Sequence, residues 1–489
     1  MWVARIKITL FALVLASPVA ALLLLGVADS YGRPQSRFPA VAKVLLGKKG
    51  RFDQFGDAVL ERSIVRRLAI QLRNWAGYRV LGFVDNEYVV SGSGSWLFYR
   101  AEFLHGRCLD EAETAIRLRR LATLIDIGRA TGIDMVTSVS PDKSTVYPEA
   151  LSTFARSYWK CRLSSIDAFR RLIRREVPAL IDHAEALLAE KARNPGVPLY
   201  YTTDTHWTPY GGAIALRQLL AALYPDTRVP PPSLTAPLAP RRTDLSRLLL
   251  LQIEERASGV EPLREEDLGP EIADRPASPT LIVGDSFYAI IASQLRDLFP
   301  RNTSIRLIRE VTELDSDLMT ADRLIINLVE RSLLPGLNGG VLDWRAPIPA
   351  AIVARNMRRI HMCAAFRPAE SEVLNSSTDG QSHTIALRAI APDRLPCLRM
   401  SVTARRPAVL QISLPNSATG AFEPGHDLKV QLEPGSQVVG FVLPSYVGGS
   451  HVQLQPDSDG EAISISTIEV GEAPAPLFAS ATLRKSLQP

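Results

Sequence analysis

The chain has 489 residues, of which 46% are hydrophobic and 22% charged, so it is long enough for roughly three domains and has the composition of folded protein. Its 56 basic and 51 acidic residues leave a net charge of +5, too thin over this length to mark a nucleic-acid-binding protein. Four cysteines without a CxxC pair exclude a disulfide-dense scaffold and offer no zinc motif, and Walker A and HExxH patterns are absent.

Arg5 and Lys7 precede a 20-residue run, 8–27, that contains no charge. At helical rise such a run spans about 30 Å, the thickness of bilayer hydrocarbon. The expectation is an uncleaved transmembrane anchor within residues 1–29. Its basic start is held in the cytoplasm of a bacterial inner membrane and the body is carried into the periplasm. Signal cleavage near Ala28, with secretion to the periplasm, is the alternative. Export would put Cys108, Cys161, Cys363 and Cys397 in an oxidising compartment, where three pairings are possible. Sequence order favours Cys108 with Cys161 and Cys363 with Cys397, with four buried thiols as the other reading.

Residues 30–85 read as a tether and a helical lead-in, with Val59, Leu60, Ile64, Leu68, Ile70 and Leu72 at helical spacing over 58–81. The segment 91–99 is a glycine turn running into an aromatic strand; it lacks the third glycine and the helix of a dinucleotide loop. Between 86 and 367 strands and helices alternate. Asp110 with Glu113 makes a capping box for a helix carrying Ile116, Leu121, Leu124 and Ile127. A strand is expected at 133–139, then a helix from Ser165 with Ile166, Phe169, Leu172 and Ile173 on one face. A strand end at 199–201, a helix at 210–223, a proline-rich surface loop at 230–240 and buried parallel strands at 281–283 and 324–329 complete the series. Alternation of this type predicts an α/β sandwich with a mainly parallel sheet. After Pro368, Leu410, Ile412 and Leu414 alternate with polar positions, as do Leu428, Val430 and Leu432, then Val452 with Leu454 and Ile463 with Ile465. Residues 368–489 are therefore expected to form an all-β sandwich, either carbohydrate-binding or a structural cap.

Two segments carry chemistry. Gly284-Asp285-Ser286 follows the 281–283 strand and opens a helical pattern, which exposes the serine at the carboxyl edge of the sheet with its N–H at a helix N-terminus. A serine needs a base and the base an orienter, and Asp204 and His206 stand two apart on an extended segment that continues into Trp207. The other reading has Asp204 capping the helix that starts near Pro209, with His206 packed beside Trp207. Arg170, Arg171, Arg174 and Arg175 could touch an anionic polymer, but a solvated helix face is the favoured reading. Trp96 and Trp207 are candidates for stacking on sugar rings, with core packing as the alternative.

Gly284-Asp285-Ser286 together with an earlier Asp204-x-His206-Trp207 resembles the periplasmic alginate O-acetyltransferase family, SGNH/GDSL-type hydrolase folds that act on exported polysaccharide. Three further segments, 94–99, 140–148 and 328–331, resemble the same family in the same order, and the resemblance covers residues 52–335. It implies Ser286 as nucleophile, His206 as general base and acid, and Asp204 as orienting carboxylate, in the order that places the Asp and His before the serine. It also implies substrate contacts from Lys143, Tyr147 and Arg331; read from the residues alone, the two cations are solvated loop charges and Tyr147 is core. The implied reaction is transfer of acetyl through a serine acyl-enzyme to hydroxyls of an exported or cell-surface polysaccharide, with no bound cofactor and no metal. The donor is expected to be a multi-spanning membrane partner, since no acetyl-CoA fingerprint is present; no nucleic-acid partner is expected. Alternatives are an SGNH esterase that removes acetyl groups and a non-catalytic polysaccharide-binding export scaffold. The sequence departs from the family where it reads Gly92-Ser-Gly-Ser-Trp96 in place of Gly-x-Asp-Gly-Trp, and no Gly-x-Asn-Asp segment supplies an oxyanion asparagine.

Overall fold

A computed structural model describes residues 64–104, 110–225, 227–268, 279–298, 303–308, 315–336, 340–369 apart from 341 and 345, 371–376, 380–391, 393–456 and 463–476. The expected anchor, the tether and Cys108 lie outside the described residues, and no helix among those described is long and apolar enough to cross a membrane.

The described chain opens with α1 (Ile64–Ala76), which continues as a π-helical turn over Gly77–Leu81 and ends at Gly82 with φ 63°. The expected helical period is present, but Leu68 and Leu72 are 56% and 65% exposed, so its apolar side is turned partly to solvent. The glycine turn then joins β1 (Val89–Ser91) to β2 (Leu97–Tyr99) as an antiparallel hairpin.

The centre is a five-stranded parallel sheet. In chain order its parts are α2 (Glu111–Ala130), β3 (Asp134–Ser140), α3 (Thr153–Glu176), β4 (Ile181–Asp182), α4 (His183–Arg193) and α5 (Pro209–Leu223). After an excursion come β9 (Thr280–Gly284), α7 (Ser286–Leu298), β10 (Thr303–Leu307) and β11 (Arg323–Val329). The sheet order is β10-β9-β11-β3-β4, every pair parallel. Successive side chains of a strand leave on opposite faces, and both faces are covered. Leu281, Val283, Leu324, Ile326 and Leu328 join Leu118, Leu121 and Ile125 of α2 and Phe169, Leu172 and Ile173 of α3. Ile282, Ile325 and Val329 join Ile214, Leu216 and Leu220 of α5 and Phe287, Ile291 and Leu295 of α7. This is the expected α/β sandwich. The Asp110 carboxylate accepts from Glu113 N at 3.0 Å, the forward half of a capping box, while the Glu113 carboxylate turns to Arg117. Helix α3 starts twelve residues before the expected Ser165, where Ser152 Oγ accepts from Ala155 N at 3.1 Å.

The proline-rich stretch is not only a loop. It holds β5 (Leu234–Pro237) and leads to β6 (Arg241–Arg242), α6 (Asp244–Leu248), β7 (Glu254–Glu255) and β8 (Ser258–Val260), with β5 paired to β8 and β6 to β7. Exposed edge ribbons are where proline is tolerated, because no neighbouring strand needs its N–H.

Helix α8 (Pro347–Arg358) leads into the C-terminal strands: β12 (Ala364–Pro368), β13 (Ser371–Ser376), β14 (Gly380–Ala386), β15 (Arg394–Ala404), β16 (Ala408–Pro415), β17 (Phe422–Leu432), β18 (Gly435–Val442), β19 (His451–Pro456) and β20 (Ile463–Pro474). They make two antiparallel sheets, β12-β20-β15-β18 and β13-β14-β19-β16-β17. Leu398, Met400 and Val402 of one and Leu410, Ile412, Leu454 and Val430 of the other are buried in the same core that holds α2 and one face of the parallel sheet. Three devices fix this junction. At Gly425 (φ 99°) a Cβ would stand 2.4 Å from Ile116 O of α2, so only glycine allows β17 to lie this close. Buried Asn356 of α8 pairs with the Val442 backbone, donating to its carbonyl at 2.9 Å and accepting from its N–H at 2.8 Å. A disulfide joins Cys363, just after α8, to Cys397 of β15.

Candidate active site

Strand β9 ends in Gly284, and Ser286 is the first residue of α7. A Cβ on Gly284 would sit 2.6 Å from the Tyr288 Cβ, so glycine lets the helix turn straight back over the strand end. Asp285 closes the turn: its Oδ1 accepts from Phe287 N at 3.0 Å and its Oδ2 from Val329 N at 2.6 Å, tying the ends of β9 and β11 together. Burial pushes the Asp285 carboxyl up, against the two amides that favour its charged form. The Ser286 side chain stands exposed at the carboxyl edge of the sheet, and its Oγ lies 2.8 Å from His206 Nε2.

The loop that brings His206 there is built on an isolated bridge between Tyr200 and Trp207. Thr208 caps α5 through its Oγ, which accepts from Gly211 N at 3.3 Å, so Asp204 is free of the capping role. Asp204 is fully buried and takes four hydrogen bonds. Its Oδ1 accepts from His206 N at 3.0 Å and Nδ1 at 2.7 Å, and its Oδ2 from Arg241 Nη2 at 2.8 Å and Asp244 N at 3.0 Å. Burial would raise this carboxyl, but His206 and the surrounding amides outweigh it and hold it well below the usual carboxylate range. With the Nδ1 proton held by Asp204, Nε2 is the acceptor for the serine hydroxyl. Phe287 backs the imidazole at 4.9 Å between ring centres, and Trp207 meets Phe287 edge-on at 5.4 Å.

The four expected substrate contacts fare differently. Trp207 is completely buried among Tyr200, Phe287 and His183, so its ring is a wall behind the loop and is closed to a sugar. Lys143 is also fully buried, neither a solvated charge nor a surface contact. Its Nζ donates to the carbonyls of Tyr201, Thr202 and Asp204 at 3.3, 3.1 and 2.7 Å, and lies over the rings of Trp96 and Phe98. Burial lowers it to about 8 in spite of Glu102, Asp244, Asp204 and Glu255 nearby. Tyr147 is core: its hydroxyl accepts from Leu199 N at 2.9 Å and its ring packs on Trp96. Arg331 reaches the serine turn, ion-paired with Asp142 and lying over the Tyr99 and Phe287 rings at 5.2 and 5.4 Å. Of the α3 arginines, Arg174 and Arg175 are exposed and pair with Glu185 and Glu176, as a solvated helix face would, whereas Arg170 is mostly covered where it pairs with Asp182.

Sequence reasoning missed Arg241 and Asp244, which reach Asp204 from 37 and 40 residues further along the chain. Asp244 accepts from Thr205 N at 2.7 Å and also from the Thr205 hydroxyl, and its Oδ2 lies 3.5 Å from His206 Nδ1. Burial, then Asp204, pushes the Asp244 carboxyl up. Asp204, His206 and Asp244 form a compact group of the kind that can hold a metal. Their facing atoms are already joined by hydrogen bonds and Asp204 is neutralised by Arg241, so we assign the trio to hydrogen bonding.

Residues 89–295 match the family model described as the SGNH hydrolase-like domain of acetyltransferase AlgX. A probable alginate O-acetylase AlgJ of Azotobacter vinelandii is 28% identical over 191 residues, which is 37% of this chain and 44% of the relative. The chain thus spans less than half the length of that curated relative. Among solved structures, the O-acetyltransferase domain of Pseudomonas putida AlgJ is 19% identical, covering 55% of this chain and 99% of that one with a TM-score of 0.37. Pseudomonas aeruginosa AlgX is 14% identical, covering 79% and 94% with a TM-score of 0.36. Residues 89–295, the stretch that holds Asp204, His206 and Ser286, are thus similar to the SGNH hydrolase-like domain of acetyltransferase AlgX.

Proposed function

We propose that this chain is an O-acetyltransferase that passes an acetyl group through Ser286 to hydroxyls of an exported or cell-surface polysaccharide. The observation that carries the reading is the continuous contact from Ser286 Oγ through His206 to Asp204, at 2.8 and 2.7 Å, inside the family-matched stretch. His206 Nε2 takes the hydroxyl proton as Ser286 attacks the donor's acyl carbon, and Asp204 steadies the imidazolium that results. The Ser286 N–H at the start of α7 is one donor to the oxyanion of the tetrahedral intermediate. His206 returns its proton to the leaving group; an acceptor hydroxyl then loses its proton to His206 and attacks the acyl carbon, the bond to Ser286 Oγ breaks, and His206 passes that proton to Oγ as the acetylated acceptor leaves. The name of the curated relative, a probable alginate O-acetylase, supports a polysaccharide acceptor. In this reading residues 86–367 are the catalytic unit and 368–489 the accessory β unit. The run at 8–27 anchors the body in the periplasm, and a multi-spanning membrane protein delivers acetyl.

The test is the acetyl content of the polysaccharide from cells carrying the native chain or Ser286→Ala. The variant is expected to fold normally and to lower the transfer rate about 10⁴-fold, leaving the polymer unacetylated. A gain of acetyl would mean that the chain removes acetyl groups, and an unchanged polymer would overturn the catalytic reading.

A further inference from the structure

The Asp204–His206 pair is acted on by a second, shorter segment. Where β6 gives way to α6, Arg241 Nη2 and Asp244 N donate to Asp204 Oδ2 at 2.8 and 3.0 Å. The same segment turns a carboxylate on the ring: Asp244 Oδ2 stands 3.5 Å from His206 Nδ1. Neither group is loose. The Arg241 guanidinium lies 4.8 Å over the Tyr201 ring, and the Asp244 oxygens hold Thr205 through its N–H and hydroxyl. A cation and an anion three residues apart are thus both built onto one side of the imidazole, away from the Ser286 side.

We propose that Arg241 and Asp244 are positioning residues of opposite electrical sign for His206, Arg241 binding the carboxylate that orients the ring and Asp244 setting a second carboxylate beside its Nδ1. The proposal rests on the catalytic reading above for its consequence but not for its test. An adjacent carboxylate favours the imidazolium, and neutralising that carboxylate weakens the effect. Without Arg241 the ring holds its proton to higher pH and is lost as a base over more of the acid range. Without the Asp244 charge the ring releases its proton at lower pH, and the imidazolium formed during acyl transfer loses one of its two carboxylate neighbours. Other charged groups around the site have anchors of their own. Lys143 is held on loop carbonyls, Glu255 on Thr202 N and Thr203 N, Asp285 on Phe287 N and Val329 N, and Arg331 on Asp142. They form a constant background in every variant.

The experiment uses the full chain with ¹³C-labelled histidine, the His206 signal being identified by its loss in His206→Ala. Ring titrations are followed in Arg241→Gln, Arg241→Lys, Asp244→Asn and the Arg241→Gln/Asp244→Asn pair, beside the pH profile of kcat/KM for cleavage of a soluble acetyl ester. Arg241→Gln is expected to move the ring midpoint and the acid limb of the profile up by about half to one pH unit, and Asp244→Asn to move both down by a similar amount. The double variant should return close to native, and Arg241→Lys should lie between native and Gln. Shifts in one common direction, no shift in either single variant, or equal shifts for Lys and Gln at position 241 would overturn the proposal. Should Arg241→Gln not fold, Arg241→Lys against Asp244→Asn poses the same question with a smaller upward arm. The ring titration does not depend on turnover, so it decides these roles even if Ser286→Ala keeps its esterase activity and the catalytic reading fails.

Discussion

Lys143 holds the loop that carries Asp204 and His206 from beneath, with all three of its hydrogen bonds going to backbone carbonyls of that loop. A buried ammonium is costly unless its surroundings are fully polar, and here they are supplied by carbonyls and by the carboxylates of Glu102 and Asp204. Removing it takes a donor from the Tyr201, Thr202 and Asp204 carbonyls and leaves the buried Glu102 with Arg331 as its nearby cation. Lys143→Ala is expected to lower unfolding free energy by about 3 kcal/mol. Because it loosens His206, the base proposed above, it should also cost at least about tenfold in kcat; a chemical melt and an esterase assay read the two, and activity within twofold of native would contradict the bracing role. Trp207 makes a related point. An aromatic residue beside a histidine is spelled the same way whether it stacks on a sugar or walls off a core, and only its position between Tyr200 and Phe287 distinguishes the two.

At the level of elements, the close seat of β17 on α2 depends on Gly425. The residue combines a left-handed φ of 99° with no room for a Cβ against the Ile116 carbonyl. Gly425→Ala is expected to cost about 2 to 4 kcal/mol, the sum of backbone strain and overpacking, whereas Ala at Gly420, where nothing lies within 4 Å, should cost only its strain at φ 70°. Comparison of the two denaturant midpoints isolates the packing share. The elements themselves were largely legible. Apolar runs at β9 and β11 mark strands buried on both faces, and alternation in β16 and β19 marks strands with one dry face, because burial imposes those periods directly. The first half of α3 was not legible, since its sequence lacks a clean apolar stripe before Ile166 and the helix is set by the Ser152 cap instead. The serine turn and the Asp204–His206 segment could be read because each is local. Arg241 and Asp244 could not, because the excursion of short ribbons that returns them to Asp204 has no period of its own.

At the scale of the whole molecule, the parallel sheet and the β-sandwich were expected as separate units and are packed as neighbours with one hydrophobic interior. Leu118, Leu121 and Ile125 of α2 bury themselves in the same cluster as Leu410, Ile412 and Val430 of the sandwich. Charged contacts line the same seam: Arg119 of α2 reaches Glu176 of α3 at 2.7 Å and Glu423 of β17 at 3.2 Å. Heat should therefore find no weak plane between the two layers. Scanning calorimetry is expected to show a single peak for the described body, with calorimetric and van't Hoff enthalpies in agreement; two resolved peaks would mean that the halves melt apart. The consequence reaches beyond stability. Any force applied to the sandwich, whether by a chain gripped there or by a neighbour leaning on it, is passed through the shared core of α2 to the parallel sheet, whose strand β9 leads into Ser286.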